Sequence, residues 1–251
     1  MTDGFIVVIP ARYASTRLPG KPLKDIAGKP MIQWVYDQAS QSGASQVIVA
    51  TDDERIAAAC RRFGAPVEMT STEHASGTDR IAELVRRFGW HDEQIVVNVQ
   101  GDEPLISPLC IAQTARLLGW HPEAAIATLT SPLTGEAEFR DPNFVKVVTD
   151  KHGWALYFSR APIPWPRDGG TPKTRRHVGL YAYRAGGLKT ISAAPPCELE
   201  NTEKLEQLRA LWLGFRIIVA DAVEPPSPHV DTEEDLAKIR VHLERTHGRK
   251  G

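Results

Sequence analysis

Short apolar runs rich in valine and isoleucine alternate along the chain with longer segments whose apolar residues recur at helical spacing. The short runs predict buried strands at residues 5–10, 46–52, 66–70, 94–100, 124–130 and 216–220. The periodic segments predict helices at residues 30–43, 53–63, 107–119 and 197–212, a helix that follows the loop at 74–80 and runs through Arg87, and a further helix near the C-terminus. Alternation of strands and helices implies an α/β fold with a mainly parallel, doubly wound sheet.

The pattern changes between residues 143 and 184. Two runs, 145–151 and 154–160, predict antiparallel strands around a turn at His152-Gly153, and a further strand is predicted at 177–183. We therefore expect a single domain over residues 1–251, with a smaller antiparallel lobe inserted at about 143–184. This lobe is expected to close the cleft on the side that binds the second substrate.

The loop after the first predicted strand is stiffened by glycine and proline and carries Arg12, Arg17 and Lys21. Ligands of open α/β sheets bind at the carboxyl ends of the strands, where this loop is expected to lie. Fixed cations there predict a site for a polyanion such as a nucleoside triphosphate. The sequence contains neither G-x-x-x-x-G-K-[ST] nor G-x-G-x-x-G after this strand, which argues against a P-loop NTPase and a dinucleotide-dependent oxidoreductase.

Two further loops are expected at the same edge of the sheet. The strand at 94–100 ends in Gly101-Asp102, and the loop with Ser76 and Gly77 precedes a predicted helix. An aspartate after a strand is often only a turn residue, but Mg²⁺ binds through one or two carboxylates together with substrate phosphates. Ser76 is expected to cap the helix, whose N-terminal N–H groups also suit a nucleotide.

Composition narrows the class of protein. The 251 residues contain 30 Lys and Arg against 31 Asp and Glu, a net charge of −1. This balance does not suggest a nucleic-acid or membrane surface. Cys60, Cys110 and Cys197 are odd in number and widely spaced, which favours reduced thiols in a cytoplasmic protein. We expect no signal peptide and no membrane span.

Two segments carry a resemblance to a known family. Pro10-Ala-Arg-Tyr-Ala-Ser-Thr-Arg-Leu-Pro-Gly-Lys-Pro22 and Val99-Gln-Gly-Asp-Glu-Pro104 closely resemble the signature loops of the 3-deoxy-manno-octulosonate cytidylyltransferase (CMP-Kdo synthetase) family. The resemblance continues almost to the C-terminus. It implies a Mg²⁺-dependent transferase that moves CMP from CTP to the anomeric hydroxyl of the 2-keto-3-deoxy sugar acid Kdo, releasing pyrophosphate. It also implies a homodimer and a role in lipopolysaccharide synthesis.

The resemblance assigns roles to individual residues. It implies nucleotide contacts by Arg12, Ser15, Arg17, Lys21, Ser76, Gly77, Arg80 and Gln100. It implies catalytic roles for Arg12, Lys21, Asp102 and Asp231, the last two as magnesium ligands. It implies sugar contacts by Arg160, His177, Tyr181, Glu206 and Gln207, with His177 orienting a hydroxyl rather than acting as a base.

Residue patterns alone support a different interpretation of Asp231. It precedes the last predicted helix, with Glu234 three residues later, so the local pattern predicts a helix N-cap. Only the resemblance to the family implies that Asp231 is a magnesium ligand.

Other functions stay open. A cytidylyltransferase for sialic acid or an amino-substituted Kdo would share the nucleotide loops. A glycosyltransferase or nucleotide-sugar-binding module on a similar fold would usually show a D-x-D metal motif, which the predicted strand ends lack. The link at residues 166–176 is shorter than its counterpart in the family, which bears on the dimer surface.

Overall fold

The computed structural model describes residues 4–15, 17–170 and 172–247. Thr16 of the first loop and Thr171 of the expected lobe lie outside these residues. The chain divides into two compact units. Unit 1 contains Trp90–Val97 and Gln113–Pro226, and unit 2 contains Gly4–Gly89, Asn98–Ala112 and the segment from Ser227 onward. The single domain with its inserted lobe stays a prediction.

Strands and helices alternate through most of the chain. The strands are β1 (Ile6–Ala11), β2 (Asp25–Ile26), β3 (Lys29–Pro30), β4 (Gln46–Thr51), β5 (Val67–Met69), β6 (Ile95–Asn98), β7 (Ile126–Pro132), β8 (Lys146–Thr149), β9 (Ala155–Ser159), β10 (Arg175–Arg184) and β11 (Ile217–Asp221). The helices are α1 (Met31–Ser40), α2 (Glu54–Arg62), α3 (Gly77–Arg87), α4 (Pro108–Trp120), α5 (Glu136–Arg140), α6 (Ala185–Ala193), α7 (Glu198–Glu203), α8 (Gln207–Trp212) and α9 (Glu233–His247).

Unit 2 is built on parallel strands. β4 pairs in parallel with β1 on one side and with β5 on the other. All six residues of β1 are buried, as its unbroken apolar run predicts. Helices α2 and α3 begin at side-chain caps: Asp53 accepts a hydrogen bond from the N–H of Arg55, and Ser76 from that of Asp79.

Helix α9 joins this unit through an apolar cluster. Its buried leucine and isoleucine side chains pack with the loop after β1 and with α1; the cluster comprises Leu18, Ile26, Met31, Trp34, Val230, Leu236, Ile239 and Leu243. Burial of this cluster stabilises the position of the segment before α9. The cluster therefore sets where Asp231, the residue after Val230, lies.

Unit 1 combines parallel and antiparallel pairing. β7 pairs in parallel with β11 and antiparallel with β10, which also pairs antiparallel with β8. β8 and β9 form the antiparallel pair predicted around His152-Gly153. The mainly parallel α/β class with a smaller antiparallel part is confirmed. None of the helices in the described residues has the length and apolar character needed to cross a bilayer.

The prediction of a single helix over residues 197–212 is wrong. Two short helices, α7 and α8, occupy this stretch, because Lys204 adopts a left-handed backbone with φ of 55° and ends α7. Its N–H donates to the carbonyl of Glu200 at 2.7 Å, closing the last turn. Apolar spacing continues through the break, so periodicity gave no sign of it. Helices α5 and α6 were not predicted either.

Candidate active site

Two loops of unit 2 close tightly on Pro10 at the end of β1. A Cβ atom at Gly101 would lie 2.9 Å from the Pro10 carbonyl oxygen, and one at Gly77 would lie 3.0 Å from Pro10 Cγ. Only glycine permits such approaches without displacing the backbone or the ring. The loops carrying Ser76 and Asp102 therefore meet the start of the cationic loop, as predicted from the strand order.

The cationic loop is held by its own side chains and backbone. Ser15 Oγ accepts a hydrogen bond from the N–H of Leu18 at 3.3 Å, and Leu18 is buried in the apolar cluster. The guanidinium of Arg55 stacks over the ring of Tyr13, with Arg55 Cζ 3.3 Å from the ring centroid. Arg12 is exposed and makes no ion pair or hydrogen bond within the described part of the chain. Its guanidinium is therefore available to a ligand.

Lys21 joins the two aspartates of the predicted metal site. Its Nζ lies 2.7 Å from Asp102 Oδ2 and 3.0 Å from Asp231 Oδ1. Arg17 reaches Asp231 Oδ2 at 3.2 Å from a more exposed position. The backbone fixes the same juxtaposition, because the N–H of Val230 donates to the carbonyl of Asp102 at 3.0 Å. Both carboxylates are thus within reach of one cation.

Asp231 is not the cap of α9. The cap is formed by Thr232, whose Oγ1 accepts from the N–H of Asp235 at 3.2 Å. Asp235 reciprocates by accepting from the N–H of Thr232 at 3.0 Å, completing a capping box. The cap predicted at Asp231 with Glu234 is therefore wrong by one residue. The carboxylate of Asp231 faces Lys21 and Arg17 instead.

Sequence reasoning missed His229, which lies beside the first aspartate. Its Nδ1 is 3.7 Å from Asp102 Oδ1 and 3.4 Å from Glu103 Oε1. Burial would raise the pKa of Asp102, but the nearby His229 and the hydrogen-bonded ammonium of Lys21 outweigh it and lower that pKa to about 2. Burial would lower the pKa of His229, whereas Asp102 and Glu103 raise it to about 9. Asp102 is therefore ionised at neutral pH.

Glu103 is buried behind this cluster. Desolvation, opposed by the charge of His229, leaves the pKa of Glu103 raised. It accepts a hydrogen bond from Ser227 Oγ at 2.9 Å. The only sequence sign of His229 was its place two residues before Asp231.

Ser76 and Arg80 have structural roles in the chain. Besides capping α3, Ser76 Oγ donates to Asp79 Oδ2 at 3.0 Å. The side chain of Arg80 is 3% exposed; it donates to Asp52 Oδ2 at 2.7 Å and also to Thr70 Oγ1. Arg80 thereby ties the ends of β4 and β5 to α3. Direct nucleotide contacts by Ser76, Gly77, Arg80 and Gln100 stay predictions.

The predicted sugar residues belong to unit 1, and a bulge in β10 brings two of them together. His177 pairs in register with Thr130 and Tyr181 with Thr128, so the four-residue separation spans only two register positions. Residues two register positions apart share a face of the sheet. Their ring centroids accordingly lie 5.1 Å apart.

His177 is held as a neutral imidazole. Desolvation lowers its pKa to about 3. Its Nε2 is 2.9 Å from Thr128 Oγ1, and that hydroxyl lies 2.8 Å from the carbonyl of Leu180. Since the hydroxyl donates its one proton to the carbonyl, we assign the Nε2–H tautomer, which leaves Nδ1 as an acceptor. This state suits orientation of a hydroxyl and not general-base catalysis at neutral pH.

Arg160 is fixed by backbone carbonyls and Glu203. Its Nε donates to the carbonyl of Glu203 at 2.7 Å and its Nη1 to that of Pro142 at 2.9 Å. The Arg160 carbonyl accepts from Lys146 Nζ at 2.6 Å. Lys146 is fully buried, and burial lowers its pKa. A lysine inside the β-branched run at 145–149 was the signal that sequence reasoning overlooked.

Tyr181, Glu206 and Gln207 form one neighbourhood in unit 1. Burial, followed by the charges of Tyr183 and Glu206, raises the pKa of Tyr181 well above its ordinary value, so the phenol stays protonated. Gln207 is buried, and its Nε2 has no hydrogen-bond partner in the described structure. A buried amide donor without a protein partner is costly, so this N–H is free to donate to a water or a ligand oxygen.

The donor set at Asp102 and Asp231 fits Mg²⁺ better than a transition metal. No group of three or more His, Cys, Asp or Glu suited to a metal occurs in residues 4–15, 17–170 and 172–247. Mg²⁺ instead takes one or two carboxylates and completes its shell with water and substrate phosphates. The ammonium of Lys21 already occupies a position between both carboxylates, which shows that they can share a cation.

Comparisons with known proteins agree over nearly the whole chain. The family model for cytidylyltransferases matches residues 6–217. Proteins named 3-deoxy-manno-octulosonate cytidylyltransferase are similar: one from Pseudomonas syringae pv. tomato is 56% identical, covering 97% of this chain and 100% of its own. A protein of the same name from Vibrio vulnificus is 58% identical, and the match covers 94% of this chain and 96% of that protein.

Solved structures give the same result. CMP:2-keto-3-deoxy-manno-octonic acid synthetase complexed with CTP aligns with a TM-score of 0.89 and 42% identity, covering 97% of this chain and 100% of that one. A nucleotidyl transferase from Methanothermobacter, 17% identical over 97% of this chain and 99% of that one, shares the fold with a TM-score of 0.62. The predicted family is confirmed: the chain belongs to the cytidylyltransferases, and among them to the 3-deoxy-manno-octulosonate cytidylyltransferases.

Proposed function

We propose that this protein transfers CMP from CTP to the anomeric hydroxyl of 3-deoxy-D-manno-octulosonate (Kdo), giving CMP-Kdo and pyrophosphate. Family membership, the name of the curated relatives and the CTP complex of a similar structure support the proposal. The observation that carries it is the meeting of Lys21, Asp102 and Asp231 in the loops of unit 2. This arrangement suits a triphosphate and a cation.

The cations of the first loop are proposed to bind the triphosphate. The anomeric oxygen attacks the α-phosphorus, and the bond from that phosphorus to the β-phosphate bridging oxygen breaks on the opposite side. Catalysis then depends on positioning and on neutralising the charge of the departing pyrophosphate. Arg12, which is exposed and has no partner in the described residues, and Arg17 and Lys21 suit that neutralisation. Ser15 supports the loop backbone.

The sugar acid is proposed to bind to unit 1. A guanidinium held rigidly by carbonyls, as in Arg160, suits the Kdo carboxylate through paired hydrogen bonds. His177 offers an acceptor nitrogen and Gln207 offers an unpartnered donor to sugar hydroxyls. Tyr181 and Glu206 lie close enough to interact electrostatically and complete the set.

Mg²⁺ is the proposed cofactor, held by Asp102 and Asp231. When bound, it would polarise the α-phosphate and lower the pKa of the attacking hydroxyl. The low pKa of Asp102 keeps this ligand ionised without a metal. The two carboxylates, which already share the ammonium of Lys21, support this choice, because Mg²⁺ binds through one or two carboxylates together with substrate phosphates.

We further propose a cytoplasmic homodimer that serves lipopolysaccharide synthesis. Cys60, Cys110 and Cys197 are buried, and within the described residues none of them forms a disulfide, which fits a reducing compartment. Unit 1 exposes large apolar side chains that a second copy could cover: Leu156, Trp165 and Trp212. Light scattering after size exclusion tests the dimer: a mass near twice 27.7 kDa is expected, and a monomer would contradict it.

A substrate panel tests the activity. Pyrophosphate release is measured with each nucleoside triphosphate against Kdo, an 8-amino Kdo analogue and sialic acid, with Mg²⁺ present. CTP with Kdo is expected to dominate, and omission of either substrate should abolish release. Preference for sialic acid or for the amino sugar would move the enzyme to a related specificity, and release independent of any sugar acid would contradict a synthetase.

A further inference from the structure

Lys21 differs from the other cations of its loop because both aspartates of the proposed metal site hold it. Its Nζ lies 2.7 Å from Asp102 and 3.0 Å from Asp231, and its side chain is only 13% exposed. Lys24, three residues later, pairs with Glu233 at 2.8 Å and does not share these partners. Lys21 therefore sits where a cation shared by the two carboxylates would sit.

We infer that Lys21 is an internal counter-ion of the metal site, which competes with the divalent cation until a nucleotide draws its ammonium away. The inference rests on the proposed function, which places Mg²⁺ on these aspartates and the triphosphate beside the loop. Mg²⁺ holds its oxygen ligands at about 2.1 Å. An ammonium bonded to the same oxygens blocks that approach, so the two cations exclude each other.

The competition couples metal binding to nucleotide binding. In the nucleotide-free protein, a divalent cation must break two charge-assisted hydrogen bonds of Lys21 and leave its ammonium without an anion. When CTP is present, the same ammonium gains the phosphates as it leaves the aspartates. Each ligand therefore favours the other, and thermodynamic linkage requires the effect to be reciprocal. The metal enters with the nucleotide, and the free enzyme binds divalent cations weakly.

The same charges stabilise the nucleotide-free fold. Asp102 and Asp231 are brought together by the hydrogen bond between the Val230 N–H and the Asp102 carbonyl. Without Lys21, their carboxylates would repel each other across that contact, with Arg17 and His229 as the remaining cations nearby. Loss of Lys21 should therefore lower the melting temperature, and a divalent cation should restore it.

Metal binding without nucleotide tests the inference directly. Mn²⁺ is titrated into the full chain, and unbound Mn²⁺ is quantified by electron paramagnetic resonance. Lys21→Met is expected to tighten binding by about tenfold or more, equivalent to about 1.4 kcal/mol. Lys24→Met, which removes the same charge three residues away, is the matched control and should stay within about twofold of wild type. Lys21→Gln keeps a donor and provides the comparison if Lys21→Met folds poorly.

The outcomes separate this inference from the proposed function. Equal Mn²⁺ affinity in wild type and both Lys21 variants would overturn the counter-ion role, as would equal tightening by Lys24→Met. Asp102→Asn combined with Lys21→Met should abolish the tight site. If Asp102→Asn weakens Mn²⁺ binding while the Lys21 variants match wild type, the metal site stands and the inference is wrong. If Asp102→Asn changes binding in neither background, the metal site itself is wrong.

Discussion

Substitution of Asp231 by asparagine separates helix capping from metal binding. The capping box of α9 is formed by Thr232 and Asp235, so Asp231→Asn leaves it intact. The change removes a carboxylate charge from Lys21 at 3.0 Å and from Arg17 at 3.2 Å. It also removes one of the two anionic ligands proposed for Mg²⁺, a hard cation that prefers charged oxygen.

The structure gives different magnitudes for stability and turnover. The Asp231 side chain is 36% exposed, and ion pairs of such exposure contribute about 0–1 kcal/mol each. The two pairs together therefore contribute at most about 2 kcal/mol, and at about 2–4 °C per kcal/mol the melting temperature should fall by no more than about 4–8 °C for a chain of this size. Loss of one preorganised charge at the reacting phosphates costs about 3–4 kcal/mol at the transition state. Turnover should therefore drop by about a hundredfold or more.

The assay combines Kdo-dependent pyrophosphate release over a Mg²⁺ titration with thermal melting. Thr232→Ala is the matched control, because it removes the cap and should cost about 1 kcal/mol of stability while turnover stays near wild type. Asp231→Asn should show the opposite pattern and require more Mg²⁺. Wild-type turnover of Asp231→Asn at ordinary Mg²⁺ would refute the reasoning, and so would a loss of turnover in Thr232→Ala equal to that in Asp231→Asn.

Further predictions concern Lys21, His177 and Lys146. Lys21→Ala should lower turnover about a hundredfold by removing charge stabilisation of pyrophosphate; steady-state kinetics near wild type would exclude it from the triphosphate site. The pKa of His177 is about 3 in the folded protein and about 6.5, its ordinary value, in the unfolded chain. Acidification from pH 6.5 to 5 should therefore cost wild type about 1–2 kcal/mol more than His177→Gln in urea unfolding, whereas parallel pH curves would contradict a neutral His177 in the folded protein. Lys146→Met should raise the KM for Kdo several-fold by releasing the Arg160 carbonyl, with CTP affinity by calorimetry unchanged; loss of both affinities together would indicate general damage.

Local chemistry explains the elements that the sequence predicted well. The strand at Ile6–Ala11 begins with four consecutive β-branched residues, and Ser76 precedes a strongly amphipathic helix that it caps. Gly77 and Gly101 were recognised as loop residues, and their close approach to Pro10 fits that role. Signals of this kind depend on neighbouring residues, so one sequence suffices to find them.

Features that depend on distant contacts were not predictable in the same way. Asp231 reaches Lys21 because Val230 is buried in a cluster with residues some 200 positions earlier and bonds to the Asp102 carbonyl. No local pattern contains that information, and the local pattern at Asp231 suggested a cap instead. The pairing of Arg80 with Asp52 and the place of His229 beside Asp102 are likewise set by tertiary packing.

The break between α7 and α8 has the same origin. Lys204 adopts a left-handed conformation that lysine does not favour on its own. The ion pair of Arg209 with Glu200 joins α8 to α7 across this break. Apolar spacing alone therefore predicted one helix where packing imposes two.

The central claim is transfer to Kdo at the α-phosphorus of CTP, and phosphorus NMR of the reaction mixture tests it most directly. With wild type, CTP, Kdo and Mg²⁺, the account predicts that CTP signals are replaced by one phosphodiester signal of CMP-Kdo and an equimolar amount of pyrophosphate. Without Kdo, the CTP signals should persist. Appearance of CDP with inorganic phosphate or a phosphorylated sugar, or consumption of CTP without Kdo, would contradict the account.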